Sequence, residues 1–235
     1  MTDATRIVGV IGGLGPLATL DFFERVLKRT RAPREQDHLR LIIDNNTKIP
    51  DRNAHMRGDG PSPGPALAAS ALGLQQAGAE VIVMACNTTH AWEAEIRAAI
   101  SVPFLSIIDV TVEAVADLRP EAVGVLAVDA CLGHKLYQNA LEKAGIKPIL
   151  LSSDSQRSFM DLIYRIKSGD TGEVARRGMT TLARKLEAQG AEVIIAGCTE
   201  IPIVLTADDI EGELISSTDV LVERTIVFAG GELKA

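Results

Sequence analysis

The chain resembles itself, and this constrains its fold more than any other feature. Gly78-Ala79-Glu80-Val81-Ile82-Val83-Met84-Ala85-Cys86 matches Gly190-Ala191-Glu192-Val193-Ile194-Ile195-Ala196-Gly197-Cys198. Val8-Gly9-Val10-Ile11 matches Val123-Gly124-Val125-Leu126, and Ser106-Ile107-Ile108-Asp109-Val110 matches Ser216-Ser217-Thr218-Asp219-Val220. The three matches fall in the same order at nearly constant separation. They indicate two copies of one structural unit.

The unit is read from its hydrophobic runs. Short apolar segments at Ile7–Ile11, Leu39–Ile43, Val81–Ala85, Phe104–Ile107, Val123–Ala127, Ile149–Leu151, Val193–Ala196 and near Leu214–Ser216 predict strands. They are apolar on both faces, as parallel strands covered by helices must be. Helical patterns at Leu17–Arg29, Pro65–Gln76, Trp92–Ala99, Leu136–Lys143, Gly172–Gln189 and Asp219–Phe228 alternate with them. Gly78, Gly145 and Gly190 stand where helices stop. The run Gly58 to Pro65 is expected to be a mobile loop. The expected fold class is α/β: two similar parallel-sheet half-domains related by pseudo-twofold symmetry, with the active site in the cleft between them.

Composition excludes several functions. Lys plus Arg is 24 against 31 for Asp plus Glu, a net charge of −7. With so few aromatics, that balance argues against nucleic-acid binding. Cys86, Cys131 and Cys198 are too few for a disulfide framework and point to a reducing cytoplasm. No apolar run is long enough to span a bilayer. The apolar stretch from Ile7 to Leu20 is interrupted by Gly9, Gly12, Gly13, Gly15 and Pro16, unlike a signal peptide. The expected location is cytoplasmic, with neither membrane nor nucleic acid as partner.

Two of the three cysteines close the repeated segment. Each lies at the carboxyl end of a predicted buried strand, where open α/β sheets bind ligands. Polar residues follow each: Asn87, Thr88 and Thr89 after Cys86, and Thr199 and Glu200 after Cys198. A lone cysteine is most simply a buried core residue. A pair at equivalent positions, each before a polar turn, reads as functional.

Ile11-Gly12-Gly13-Leu14-Gly15-Pro16-Leu17-Ala18-Thr19, Ile49-Pro50-Asp51-Arg52, Ala85-Cys86-Asn87-Thr88-Thr89-His90 and Gly197-Cys198-Thr199-Glu200 resemble the aspartate/glutamate racemase family, its aspartate racemase branch above all. Ile163 to Gly169 resembles a further family segment. The resemblance runs from Val8 to about Val220 and implies a cofactor-independent racemase, with no pyridoxal phosphate and no metal. Cys86 and Cys198 are its implied acid/base pair. Inverting an α-carbon takes a proton from one face and returns one to the other, so two groups serve better than one. The base has to be a thiolate, and the turns after both cysteines are expected to stabilise it.

The resemblance also implies substrate-binding roles. Arg52 matches the arginine that binds a substrate carboxylate, and Lys167 the lysine that holds the acidic end. Asn87, Thr88 and Thr199 are expected to contribute donors, with His90 and Glu200 as candidates to orient or polarise the thiols, or else as structural polar contacts. The implied domains are residues 1–112, with 218–235 packing back onto them, and residues 113–217. The expected partner is a small amino-acid substrate, aspartate first and glutamate second, and the expected assembly is a homodimer.

One departure bears on the substrate. Where aspartate racemases commonly carry Thr-x-Gly-Thr after the strand at Val123–Ala127, this chain has Val128, Asp129, Ala130 and Cys131. Three alternatives stay open from the residues. Gly13 to Ala18 fits a weak dinucleotide-binding fingerprint. Cys86, His90 and Cys198 are a candidate zinc set. A relative on the same scaffold could instead catalyse hydantoin racemisation, decarboxylation or cis–trans isomerisation.

Overall fold

The computed structural model describes residues 5–234. They fall into two compact units: one built from the residues up to Val110 together with those from Thr218 onward, the other from Thr111–Ser217.

The first unit is a four-stranded parallel sheet. In chain order it comprises β1 (Val8–Gly12), α1 (Pro16–Arg29), β2 (Leu41–Asn45), α2 (Arg52–Met56), α3 (Gly64–Gln76), β3 (Val81–Met84), α4 (Glu93–Ala99), β4 (Phe104–Leu105) and the start of α5 (Ile107–Asp117). The sheet order is β2-β1-β3-β4. The second unit continues with β5 (Ala122–Leu126), α6 (Asp129–Gly133), α7 (Leu136–Lys143), β6 (Lys147–Ile149), α8 (Ser153–Lys167), α9 (Glu173–Glu187), β7 (Val193–Ala196) and β8 (Glu213–Ser216). Its sheet order, β6-β5-β7-β8, repeats the first. The helix α10 (Ser217–Phe228) then returns the chain to the first unit.

The repeat extends to packing. Gly9 pairs with Ile82 in the first sheet, and Gly124 pairs with Ile194 in the second. A Cβ on either glycine would lie 2.6 Å from the Cδ1 of that isoleucine. Each glycine therefore admits an isoleucine of the next strand into the core. Leu67, Leu74, Ile82, Ile96 and Phe104 surround it in the first unit. Leu141, Phe159, Ile163, Met179 and Leu186 are buried in the second.

Helix ends follow their chemistry. Pro16 occupies the first turn of α1, where a missing N–H costs nothing. Gly78, Gly145 and Gly190 all have positive φ just past α3, α7 and α9. On α10, Asp219 is held by Arg25 at 2.7 Å and Arg29 at 2.8 Å, and Glu223 also pairs with Arg29.

Several boundaries differ from the sequence reading. β2 begins at Leu41 rather than Leu39, and β6 covers Lys147–Ile149 rather than Ile149–Leu151. Pro148 hid that strand; β6 is an edge strand, where a proline is tolerated. β4 stops at Leu105, and Ile107 opens α5 instead of ending a strand. Helices α2, α5, α6 and α8 lie outside the clearest helical patterns of the sequence. The glycine- and proline-rich run reaches only to Pro63, because α3 already begins at Gly64. No helix among the described residues is long and apolar enough to cross a membrane.

Candidate active site

Each repeated cysteine follows a fully buried strand at its carboxyl end and leads into a 3-10 turn. Cys86 lies two residues past β3, its N–H donating to the Met84 carbonyl at 2.9 Å, and the turn Thr88–Trp92 follows. Cys198 lies two residues past β7, and the turn Ile201–Ile203 follows.

Cys86 is half-buried. Its carbonyl oxygen accepts from the Thr89 hydroxyl at 3.0 Å and from Nδ1 of His90 at 2.8 Å. The other ring nitrogen, Nε2, accepts from the Ile107 backbone N–H at 3.1 Å. A backbone acceptor on one side and a backbone donor on the other select the neutral tautomer with its proton on Nδ1. Burial agrees, pushing the imidazole down to about 4. His90 thus fixes the Cys86 turn through the backbone and has no lone pair left for a metal, which removes the histidine from the zinc alternative. Among the described residues, no three His, Cys, Asp or Glu side chains are grouped to hold a metal ion. Asn87 and Thr88 lie in the same turn with their side chains largely buried.

Arg52 opens α2, whose N-terminus is capped by Asp51 accepting from the Ala54 N–H. Its guanidinium Nη2 donates to the Leu14 carbonyl at 3.2 Å. Arg52 is therefore held against the glycine loop that follows β1, beside the strand that leads to Cys86. That loop is tight. Gly13 has φ +82°, and a Cβ there would lie 2.4 Å from the Asn46 backbone. The Thr19 hydroxyl accepts from the Gly13 N–H at 2.9 Å and donates to the Gly15 carbonyl. A dinucleotide phosphate would need that N–H, so the loop as folded does not offer the fingerprint's cradle.

In the second unit, Cys198 is only 8% exposed. Its sulfur lies 2.9 Å from Oε2 of Glu200, and the Thr199 hydroxyl donates to the same oxygen at 3.1 Å. Lys167, the last residue of α8, places Nζ 3.7 Å from Oε1 of Glu200. Burial pushes the Cys198 thiol well up, and the Glu200 carboxylate adds to it; Lys167 and the Glu200 backbone N–H pull the other way and are outweighed. Cys198 is a thiol that donates to a carboxylate.

Thus Cys86, Asn87, Thr88 and Arg52 belong to the first unit, and Lys167, Cys198 and Thr199 to the second. The departing segment opens α6, with Val128 as its N-cap. Cys131 is fully buried, a packed residue. Asp129 is exposed and accepts from the Gln156 amide at 2.8 Å, and that amide also donates to the Ala127 carbonyl at 3.0 Å. Gln156 thus clamps this loop as Thr19 clamps its counterpart. Tyr137 supports the Cys198 turn. Its ring would lie 2.9 Å from a Cβ at Gly197, so only glycine lets the two meet. Sequence reasoning missed Gln156 and Tyr137, because neither lies in a motif and each acts through a fold contact.

The sequence profile described as Asp/Glu/hydantoin racemase matches residues 11–225. The broad specificity amino-acid racemase RacX of Bacillus subtilis (strain 168) is 26% identical over 226 residues, covering 94% of this chain and 96% of that protein. The aspartate racemase of Picrophilus torridus is 30% identical with a TM-score of 0.87, covering 97% of this chain and 96% of that one. An aspartate racemase homologue from Pyrococcus horikoshii OT3, 23% identical, shares the fold with a TM-score of 0.80 over 95% of this chain and 99% of that one. With the profile matched over nearly its whole length, and cysteines at equivalent places in two repeated α/β units, the chain belongs to the Asp/Glu/hydantoin racemase family.

Proposed function

We propose that the chain is an amino-acid racemase, independent of pyridoxal phosphate and metal, that interconverts the enantiomers of aspartate or glutamate through Cys86 and Cys198. One observation carries this reading: the repeat delivers a cysteine to the carboxyl end of the equivalent strand in both units. In the proposed reaction one sulfur, as thiolate, takes the α-proton and becomes a thiol. The other, as thiol, delivers its proton to the opposite face of the resulting carbanion and becomes a thiolate. Charge and protons balance within the pair, and the reverse turnover exchanges the roles. Cys198, with its proton held toward Glu200, starts as the acid. Cys86 then starts as the base. Arg52 binds a substrate carboxylate through its planar fork, Asn87, Thr88 and Thr199 add donors, and Lys167 holds the acidic end.

A second reading is racemisation of amino acids with uncharged side chains. The Lys167–Glu200 pair favours it, because a cation already facing a carboxylate attracts a second one less. Asp129, standing where the family's threonines would be, adds negative charge. The family relative named for broad specificity is in keeping with it.

One experiment tests both. Each enantiomer of the common amino acids is incubated with the protein in D₂O, and loss of the α-proton signal is followed by NMR. Exchange confined to aspartate and glutamate supports the first reading, and exchange of neutral amino acids the second. No exchange with any of them counts against amino-acid racemisation.

A further inference from the structure

Among the described residues, Glu200 is the one carboxylate that accepts from a repeat cysteine, and its two oxygens face different partners. Oε2 lies 2.9 Å from the Cys198 sulfur and 3.1 Å from the Thr199 hydroxyl, and Oε1 faces the Lys167 ammonium at 3.7 Å. In the first unit the turn after Cys86 is tied by Thr89 and His90 to the cysteine's backbone carbonyl. The repeat is therefore symmetric in its strands and differs in the turns that follow: one bonds to its cysteine's carbonyl, the other to its cysteine's sulfur.

We propose that Glu200 is a positioning residue that holds the proton on Cys198 and aims the S–H bond, while Lys167 restrains the carboxylate from its far side. This rests on the two-thiol reading above. A carboxylate in contact disfavours ionisation of the sulfur and burial works in the same direction, whereas the lysine opposes both. Tyr137 of α7, fully buried, also interacts with this thiol and with the buried Cys131 of α6. The arrangement fixes where the proton waits between turnovers. It cannot favour one enantiomer, because a racemisation with an equilibrium constant of one ties kcat/KM in the two directions together at every pH. Its signature is the ionisation of Cys198 itself.

The test reads that ionisation directly. In a Cys86→Ser/Cys131→Ala protein, Cys198 is the sole thiol, and thiolate absorbance near 240 nm is titrated against the same protein carrying Cys198→Ala. Adding Glu200→Gln is expected to move the midpoint down by about one pH unit or more, a roughly tenfold gain in thiolate at a given pH below it. Adding Lys167→Met is expected to move it up. A Glu200 that serves only as scaffold would change stability and leave the midpoint in place, and an unmoved midpoint in Glu200→Gln overturns the proposal. Should that variant fail to fold, a midpoint unmoved or lowered in Lys167→Met overturns it instead. Racemisation by Cys198→Ala in the otherwise native chain is measured separately. Activity there would sink the two-thiol reading while leaving the titration result intact.

Discussion

Nδ1 of His90 sits 2.8 Å from the carbonyl oxygen of Cys86, while Nε2 of the same ring accepts from the Ile107 N–H. The imidazole thereby joins the turn after β3 to the start of α5, and it can do so only when neutral.

The pH dependence of stability follows. The folded imidazole is lowered to about 4 from 6.5, chiefly by burial. The unfolded chain therefore binds the proton more tightly between those values. His90's contribution is complete above about pH 6.5, declines as the pH falls through the window, and is gone below about 4; it amounts to about 3 kcal/mol. Denaturation midpoints at pH 7 and pH 4.5 should differ more in the native protein than in His90→Asn. Equal differences would show that His90 does not titrate as the structure indicates.

The cysteines should separate cleanly. Cys86→Ala and Cys198→Ala are each expected to abolish racemisation with the far-ultraviolet circular dichroism unchanged, because either loss removes one proton route. Cys131→Ala should remain active within a few-fold and lose about 1 kcal/mol of stability from the vacated packing space. A folded but inactive Cys131→Ala would mean that the wrong pair carries the reaction.

Arg52 is expected to act on binding. Arg52→Lys keeps the charge and loses the planar fork, so KM should rise about tenfold or more with little change in thermal stability. A KM unchanged in both Arg52→Lys and Arg52→Ala would remove the residue from substrate binding and leave only its bond to the Leu14 carbonyl.

The glycine loop offers a paired test of backbone geometry. Gly13→Ala combines a positive φ with a collision against the Asn46 backbone and should cost about 2–4 kcal/mol. Gly15→Ala has φ −123° and nothing within 4 Å of its new Cβ, and should be nearly neutral. Chemical denaturation of the two variants decides, and similar losses would contradict the loop conformation.

The repeat was legible because its strands are buried on both faces, so Val81 to Met84 and Val193 to Ala196 read as continuous apolar runs. Helix α5 was obscured by its own composition: Ile107, Ile108, Val110 and Val112 are β-branched and favour the strand reading. In α8 a signal was present. Ser152 caps it by accepting from the Ser155 N–H, and Phe159, Leu162, Ile163 and Ile166 follow at helical spacing. Both cysteines could be found from the repeat. The difference between them could not, because it depends on where the Glu200 carboxylate points relative to a sulfur two residues away.

The return of α10 has a consequence for synthesis. The second unit is one continuous stretch, Thr111–Ser217, whereas the first needs the residues from Thr218 onward. Those residues supply Asp219 to Arg25 and Arg29, the Ala229 carbonyl to the Arg6 N–H, and the Lys234 N–H to the Arg29 carbonyl. On the ribosome, therefore, the half made first is finished last. Its sheet emerges early and waits for its closing helix while the half encoded behind it can already fold, which inverts the usual N-terminal-first order of domain folding.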